Sequence, residues 1–242
     1  TELRKIMEDQ MFLDCFGCDI DYSLGKNFAD FADQFSKDSR YRTELYKLRR
    51  KFMSHADGLI HADLHTSNIM ASRDKMKVID MEFAFMGPFG YDLGYLVGNL
   101  ISQYCAACFK RFPSEQSRKQ FKAYLLATIK SLIETYMKTF TLCWEKSVKE
   151  RYRGQQGLLQ SILQEVMEDV PGYASMVNWF RSVSEIPYPD FDIIEDKDAK
   201  RNATVLSLMI DWGIMFGRYK YQRADDLIET IIGIEEEFRK SL

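Results

Sequence analysis

No stretch of this sequence approaches the roughly 18 consecutive apolar residues needed to cross a membrane, and no charged-then-apolar leader with a cleavage site opens it. The expected location is therefore the cytoplasm, with no membrane partner. A basic excess is also missing. The net charge of -3 removes the electrostatic reason to expect nucleic acid as a partner. There is no internal repeat and no low-complexity tract. Cysteine is present as an odd set of five, Cys15, Cys18, Cys105, Cys108 and Cys143, which argues against a complete disulfide framework.

What is present describes an ordinary globular chain. Of its 242 residues, 46% are hydrophobic and 29% charged, enough for one domain with a sizeable core. Seventeen Phe, 13 Tyr and 12 Met can fill a large helical core. Cys15-Phe-Gly-Cys18 and Cys105-Ala-Ala-Cys108 are both C-x-x-C pairs, and four thiolates could make a structural zinc site. The pairs lie far apart, however, and the second falls in an apolar helical run, where such cysteines are commonly small buried residues. The chain starts at Thr1 rather than at methionine and enters helical sequence at once, so the expectation is a fragment.

The pattern along the chain is mainly helical. SRYRTELYKLRRKFMSHADG places Leu45, Leu48 and Phe52 at helical spacing, with Gly58 at the expected stop. LIHADL, NIMAS and KMKVID follow as β-like pieces, with RDK as a turn between the last two, so a small hairpin is expected. EFAFMGPFG reads as a loop because of its glycines and proline. From Tyr91 onward helices dominate: YDLGYLVGNLISQYCAACF, a long helix from Ser114 to about Arg151, GLLQSILQEVMEDV, YASMVNWFRSV, then two more after the PYPDFDIIED connector. Trp144, Trp179 and Trp212 read as core or pocket wall, VLSLMIDWGIMFG as core, and EEEF as a solvated helix face.

The unusual chemistry sits in IHADLHTSN, where two of the three histidines lie within five residues. On a strand His61, Asp63 and His65 would share a face and could chelate a divalent metal, with His55 close in sequence. A hydrolase built that way needs a further ligand and an activated water, and Thr66, Ser67 and Asn68 break the alternation. A second reading takes other members of the stretch. His61-x-Asp63, Asn68 five residues after the aspartate, and Asp80 closing VID make up a phosphoryl-transfer set. Such chemistry needs a carboxylate facing the acceptor hydroxyl, an amide oxygen for one cation, and a second carboxylate for the cation that bridges phosphates. Glu82 adds one more hard oxygen. Asp92 opens the next helix, as a cap or as a brace for the loop.

HADLHTSN, VIDMEFAFMGPFGYDLG and the helix containing GNL resemble the methylthioribose kinases of the aminoglycoside-phosphotransferase and choline-kinase group. The similarity is dense from about Leu59 to Leu100. It implies the C-terminal lobe of a protein-kinase-like fold, α+β and mainly helical, with a small β-hairpin region carrying the catalytic loop. It implies ATP as co-substrate and magnesium as metal, acting on a sugar hydroxyl, most plausibly that of 5-methylthioribose in methionine salvage. Asp63 would be the catalytic carboxylate, Asp80 and Glu82 the magnesium pair, and Asn68 a further metal ligand. His61 and His65 would be scaffolding, with Asp92 in support. The resemblance also leaves room for a homodimer.

The sequence departs from the family at several points. Ala62 replaces a glycine, which fits a negative φ there, and Met81 replaces proline. The family's two adjacent arginines, which hold the sugar, have only the separated Arg218 and Arg223 as candidates in GRYKYQRADD. Upstream of Asp63 there is no G-x-G-x-x-G, no Walker A motif and no lysine-bearing β-meander. Residues 1-242 therefore read as the catalytic and substrate-binding lobe, with the nucleotide-binding lobe absent from this chain and the fragment inactive by itself. The rival expectations are a catalytically inactive binding protein of kinase shape, or an aminoglycoside- or choline-type phosphotransferase with another acceptor.

Overall fold

The computed structural model describes residues 2–13, 33–183 and 188–242. Helix α1 (Glu2–Glu8) runs on as a π-helical turn over Asp9–Leu13. Helix α2 (Ser39–Ser54) begins where the Asp38 side chain accepts the N–H groups of Arg40 and Tyr41, a regular N-cap. It buries Tyr41, Leu45, Leu48 and Phe52, the apolar stripe read from the sequence. It ends at Ser54 rather than at Gly58, which instead opens strand β1 (Gly58–Ile60) and lies against the Phe89 ring.

Strands β2 (Ile69–Ala71) and β3 (Met76–Val78) form the expected hairpin, Ile69 opposite Val78 and Ala71 opposite Met76. Its turn is closed by the Ser72 N–H donating to the Lys75 carbonyl at 2.8 Å. The reading of EFAFMGPFG as a loop is corrected in part. Phe85–Gly87 is strand β4, antiparallel to β1, with Gly58 opposite Gly87 and Ile60 opposite Phe85. The pairing partners lie 25 to 29 residues upstream, and such a distant ladder overrides local glycine and proline content. It also sets the two ends of the polar loop side by side.

Behind these ladders stand the helices α3 (Tyr91–Phe109), α4 (Glu115–Ser147), α5 (Gln156–Val183), the short α6 (Pro189–Asp192), α7 (Lys197–Gly217) and α8 (Ala224–Ser241). The two helices expected around Pro171 are one helix, α5. Proline removes a helical N–H and crowds the preceding turn, and here the Glu168 carbonyl in that turn takes a guanidinium N–H from Arg218 at 3.2 Å. Helices α3 and α5 touch backbone to backbone. A Cβ on Gly94 would come within 2.6 Å of the Tyr173 Cβ, and one on Gly98 within 2.6 Å of the Ala174 carbonyl oxygen. That contact anchors the N-terminal turns of α3 in the core.

Two apolar clusters make up the interior: one joins α3, α4, α5, α7 and α8, the other packs α1 and α2 with Ile60, Tyr91, Tyr95 and Trp179. Trp179 is fully buried and Trp144 and Trp212 partly so, as expected. The EEEF segment is not wholly solvated. Glu235 is 5% exposed and accepts hydrogen bonds from Tyr104, Lys122 and Arg239, which hold its carboxyl down at about 2 despite burial. No helix among the described residues is long and apolar enough to cross a membrane.

Candidate active site

The polar loop between β1 and β2 is fixed almost entirely through its own backbone. Asp92, in the first turn of α3, accepts the His61 N–H at 2.6 Å with one carboxylate oxygen and the Ala62 N–H at 2.9 Å with the other. Burial pushes the Asp92 carboxyl upward, against the pull of these two N–H groups. Asp92 thus braces the loop, as one of its two sequence readings held.

The twofold grip has a conformational consequence. Ala62 adopts φ +70°, not the negative value expected from its being alanine. Both adjacent N–H groups must face the same carboxylate, and only a left-handed residue there turns the chain sharply enough. The left-handed conformation costs an L-residue about 1–2 kcal/mol, but the Ala62 methyl is completely buried, which returns roughly 0.8 kcal/mol. Glycine would also add about 0.4–1 kcal/mol of unfolded-state entropy. Ala62→Gly is therefore expected to change stability by less than about 1 kcal/mol, read as a near-unchanged thermal midpoint. A loss several times larger would mean that the methyl, not the strain, decides this position.

His61 bridges the loop to the next strand. Its Nδ1 accepts the Asp63 N–H at 3.3 Å, so Nε2 carries the proton and donates to the Ile79 carbonyl at 2.8 Å. Both ring nitrogens are thereby committed to main-chain groups. Ile79 in turn donates its N–H to the Asn68 carbonyl at 3.0 Å. With both of its main-chain groups tied to the loop, Ile79 places the following residue, Asp80, beside it. Asp80 has φ +66°, a value that aspartate tolerates better than most residues. Asn68 donates from Nδ2 to the Asp63 carbonyl at 3.0 Å, which leaves its amide oxygen for other work. The His65 Nε2 stands 3.6 Å from Asp63 Oδ2, beyond hydrogen-bond range.

These hydrogen bonds join Asp63 to Asn68 and tie Asn68 to Ile79, the residue before Asp80. Glu82 follows in the turn closed by the Ala84 N–H and the Met81 carbonyl. Asp80 and Glu82 are both exposed, and among the described residues neither forms an ion pair or side-chain hydrogen bond. Two uncompensated carboxylates and an amide oxygen are hard donors of the kind magnesium accepts alongside substrate phosphates. A three-residue His, Cys, Asp and Glu cage for a metal is not found among the described residues.

Comparison with known proteins identifies relatives of the chain. The Phosphotransferase enzyme family matches residues 21–132, which contain the whole loop, Asp80, Glu82 and Asp92. Methylthioribose kinase of Geobacillus thermodenitrificans (strain NG80-2) is 34% identical over 232 residues, covering 92% of this chain and 55% of that protein. Methylthioribose kinase of Geobacillus sp. (strain WCH70) is 32% identical over 217 residues, covering 90% of this chain and 52% of that protein. The Bacillus cereus (strain B4264) methylthioribose kinase is 29% identical over 224 residues, covering 93% and 54%. The chain is a relative of these phosphotransferases. It spans about half the length of the curated relatives it matches. Its mainly helical α+β architecture with small antiparallel sheets is that of the helical lobe in the protein-kinase-like fold of such phosphotransferases.

Two residues expected to hold substrate have other engagements in this phosphotransferase relative. Arg218 is 3% exposed, and its guanidinium is shared among Glu44 Oε2 at 3.0 Å, the Glu168 carbonyl and Asp169 at 3.9 Å. It ties α2 to the proline-bearing turn of α5, which corrects its assignment to substrate. Arg223 precedes α8 and meets Asp226 at 3.7 Å. Neither contact involves the Asp63 loop. The second C-x-x-C pair is buried in α3, where burial raises the Cys108 thiol to about 12 and the Cys105 thiol well above its ordinary range, so both stay protonated. Cys15 and Cys18 lie outside the described residues.

Other residues beside Asp63 went unread in the sequence. Asp63 and Tyr188 both lie near enough to act electrostatically on the buried Tyr95 phenol. Asn99 Oδ1 accepts the Thr66 N–H at 3.4 Å. Arg181 stacks over the Tyr188 ring at 4.4 Å and pairs with Asp190, which is 4% exposed. The spacing of Asp92, Tyr95 and Asn99 on one helix would have revealed the first and third. The Arg181 cluster joins α5 to α6 across a connector that carries no motif.

Proposed function

We propose that residues 1-242 form the catalytic and substrate-binding lobe of a kinase that transfers the γ-phosphoryl group of ATP to a sugar hydroxyl, with 5-methylthioribose the favoured acceptor. The observation that carries the reading is the division of labour in the loop. Asp92, His61 and the Asn68 amide N–H are tied to main-chain groups, while the Asp63 side chain and the Asp80–Glu82 pair remain available for reactants. In this reading the Asp63 carboxylate faces the acceptor hydroxyl, orients it and takes its proton as the oxygen attacks phosphorus. Asp80, Glu82 and the Asn68 amide oxygen would hold magnesium on the nucleotide phosphates, where the cation neutralises developing charge. The nucleotide's base and phosphate cradle belong to a further lobe outside these 242 residues.

The test is made on the full-length gene product. Incubation with magnesium-ATP and 5-methylthioribose should yield a phosphorylated sugar and ADP in equal amounts, and removal of magnesium by a chelator should stop both. Binding of magnesium-ATP without transfer to methylthioribose, other sugars or amino alcohols would sink the proposal. Sugar affinity indifferent to magnesium and nucleotide would favour the inactive binding protein instead.

A further inference from the structure

A polar seam runs through the helical core and meets at Asp211. The Ser175 hydroxyl of α5 donates to the Asp211 carbonyl of α7 at 3.0 Å, so the Tyr41 phenol of α2, 2.6 Å from the Ser175 oxygen, is the donor in that contact. On the other side the Ser102 hydroxyl of α3 donates to Asn178 Oδ1 at 2.7 Å, and Asn178 Nδ2 donates to Asp211 Oδ1 at 2.8 Å. Four helices are joined this way, one of them the helix that carries Asp92. Tyr41, Ser102, Ser175, Asn178 and Asp211 are all completely buried.

The Asp211 carboxyl is poorly provided for as an anion. Its Oδ1 has one neutral N–H, and its Oδ2 has no hydrogen-bond partner among the described residues. Buried charges persist when they are paired, and an unpaired carboxyl takes up a proton instead. The elements packed around it bring no cation. From α2 comes Tyr41, acting through Ser175, from α3 the Cys105 thiol within electrostatic range, and from α5 Ser175 and Asn178, all of them uncharged. We propose that Asp211 is held as a neutral carboxylic acid in the folded protein, a proton-dependent pin at the junction of α2, α3, α5 and α7. Burial pushes this carboxyl well above its ordinary range, and the Asn178 N–H offsets the effect only in part. The direction fixes the sign of the pH dependence. The contribution of the pin is complete below the ordinary aspartate value of about 3.9 and is lost as pH rises through the folded value, because the unfolded chain gives up the proton first.

Asp211→Asn keeps the shape of the acid and cannot ionise. In the full-length protein the melting temperature of the variant relative to wild type should rise from about pH 5 to about pH 8, as the wild-type unfolding equilibrium shifts by up to about tenfold per pH unit. A difference that stays constant over that range would overturn the proposal. The proton itself is read by infrared spectroscopy at about pH 8, where ordinary aspartates are ionised. Wild-type protein labelled with heavy carbon at the aspartate side-chain carboxyls should show the carbonyl stretch of a protonated acid, displaced by the label and missing from Asp211→Asn. Absence of that band in wild type overturns the proposal even where the variant fails to fold. A band that survives in Asp211→Asn overturns it as well, since another aspartate then holds the proton.

Discussion

Asp63→Asn should lower kcat for phosphoryl transfer by about a thousandfold, within the range lost when a positioned general base is removed, while the melting temperature stays where it was. The two halves of this expectation have separate causes. Asparagine is nearly the same shape as aspartate but cannot take a proton from the acceptor hydroxyl. The contacts that hold residue 63 in place run through its main chain, from its N–H to His61 Nδ1 and from Asn68 Nδ2 to its carbonyl, and neither depends on the carboxylate. The side chain is only partly buried, so little desolvation energy is tied up in it. Binding of magnesium-ATP should also persist, because Asp80 and Glu82 are exposed and, among the described residues, have no ion pair or side-chain hydrogen bond to Asp63. Steady-state kinetics, a thermal melt and nucleotide titration of the full-length protein check all three. A variant that loses stability along with activity would make Asp63 a structural residue. One that keeps more than about a tenth of wild-type kcat would remove it from proton transfer.

The legible parts of this chain were those whose signals are local. The stripe Leu45, Leu48, Phe52 and the run from Tyr91 to Phe109 could be read because helix periodicity acts within one or two turns. The β2–β3 hairpin was legible for the same reason, with its turn only a few residues long. What was not legible depended on partners distant in sequence. Phe85–Gly87 becomes a strand only because Gly58–Ile60 lies alongside it, and α5 passes through Pro171 where Arg218, almost fifty residues later, supports the preceding carbonyl. The site divides in the same way. The spacing of His61, Asp63, Asn68 and Asp80 carried its own chemistry. Arg218 was misplaced because a guanidinium in a C-terminal helix reads the same whether it faces a ligand or a buried Glu44. The left-handed Ala62 was missed because alanine gives no local signal for positive φ, and the cause is a carboxylate 30 residues away.

That carboxylate is the most consequential structural group in the site. Asp92→Ala should destabilise the chain by roughly 3–5 kcal/mol, since two N–H groups at buried residues lose their acceptor and each orphan costs about 1–3 kcal/mol. His61 is 5% exposed and Ala62 not at all, so water cannot readily replace the lost oxygens. A smaller share comes from the first turn of α3, where Gly90 as N-cap offers no side chain and Asp92 is the acidic residue near the positive end of the helix. For a chain of this size the loss corresponds to a fall in melting temperature of about 6–20 °C. Activity should fall with it, but for a different reason than in Asp63→Asn. Without the double grip nothing holds Ala62 at φ +70°, the turn relaxes, and Asp63 leaves its place in the loop. Asp92→Asn makes the discriminating companion. Its amide oxygen can still accept one of the two N–H groups while its NH2 faces the other, so it should retain roughly half of the stability lost in the alanine variant. Thermal melts of both variants, with hydrogen exchange at the His61 and Ala62 amides, check the argument. Amide protection that survives in Asp92→Ala would show that the loop holds its shape without the brace.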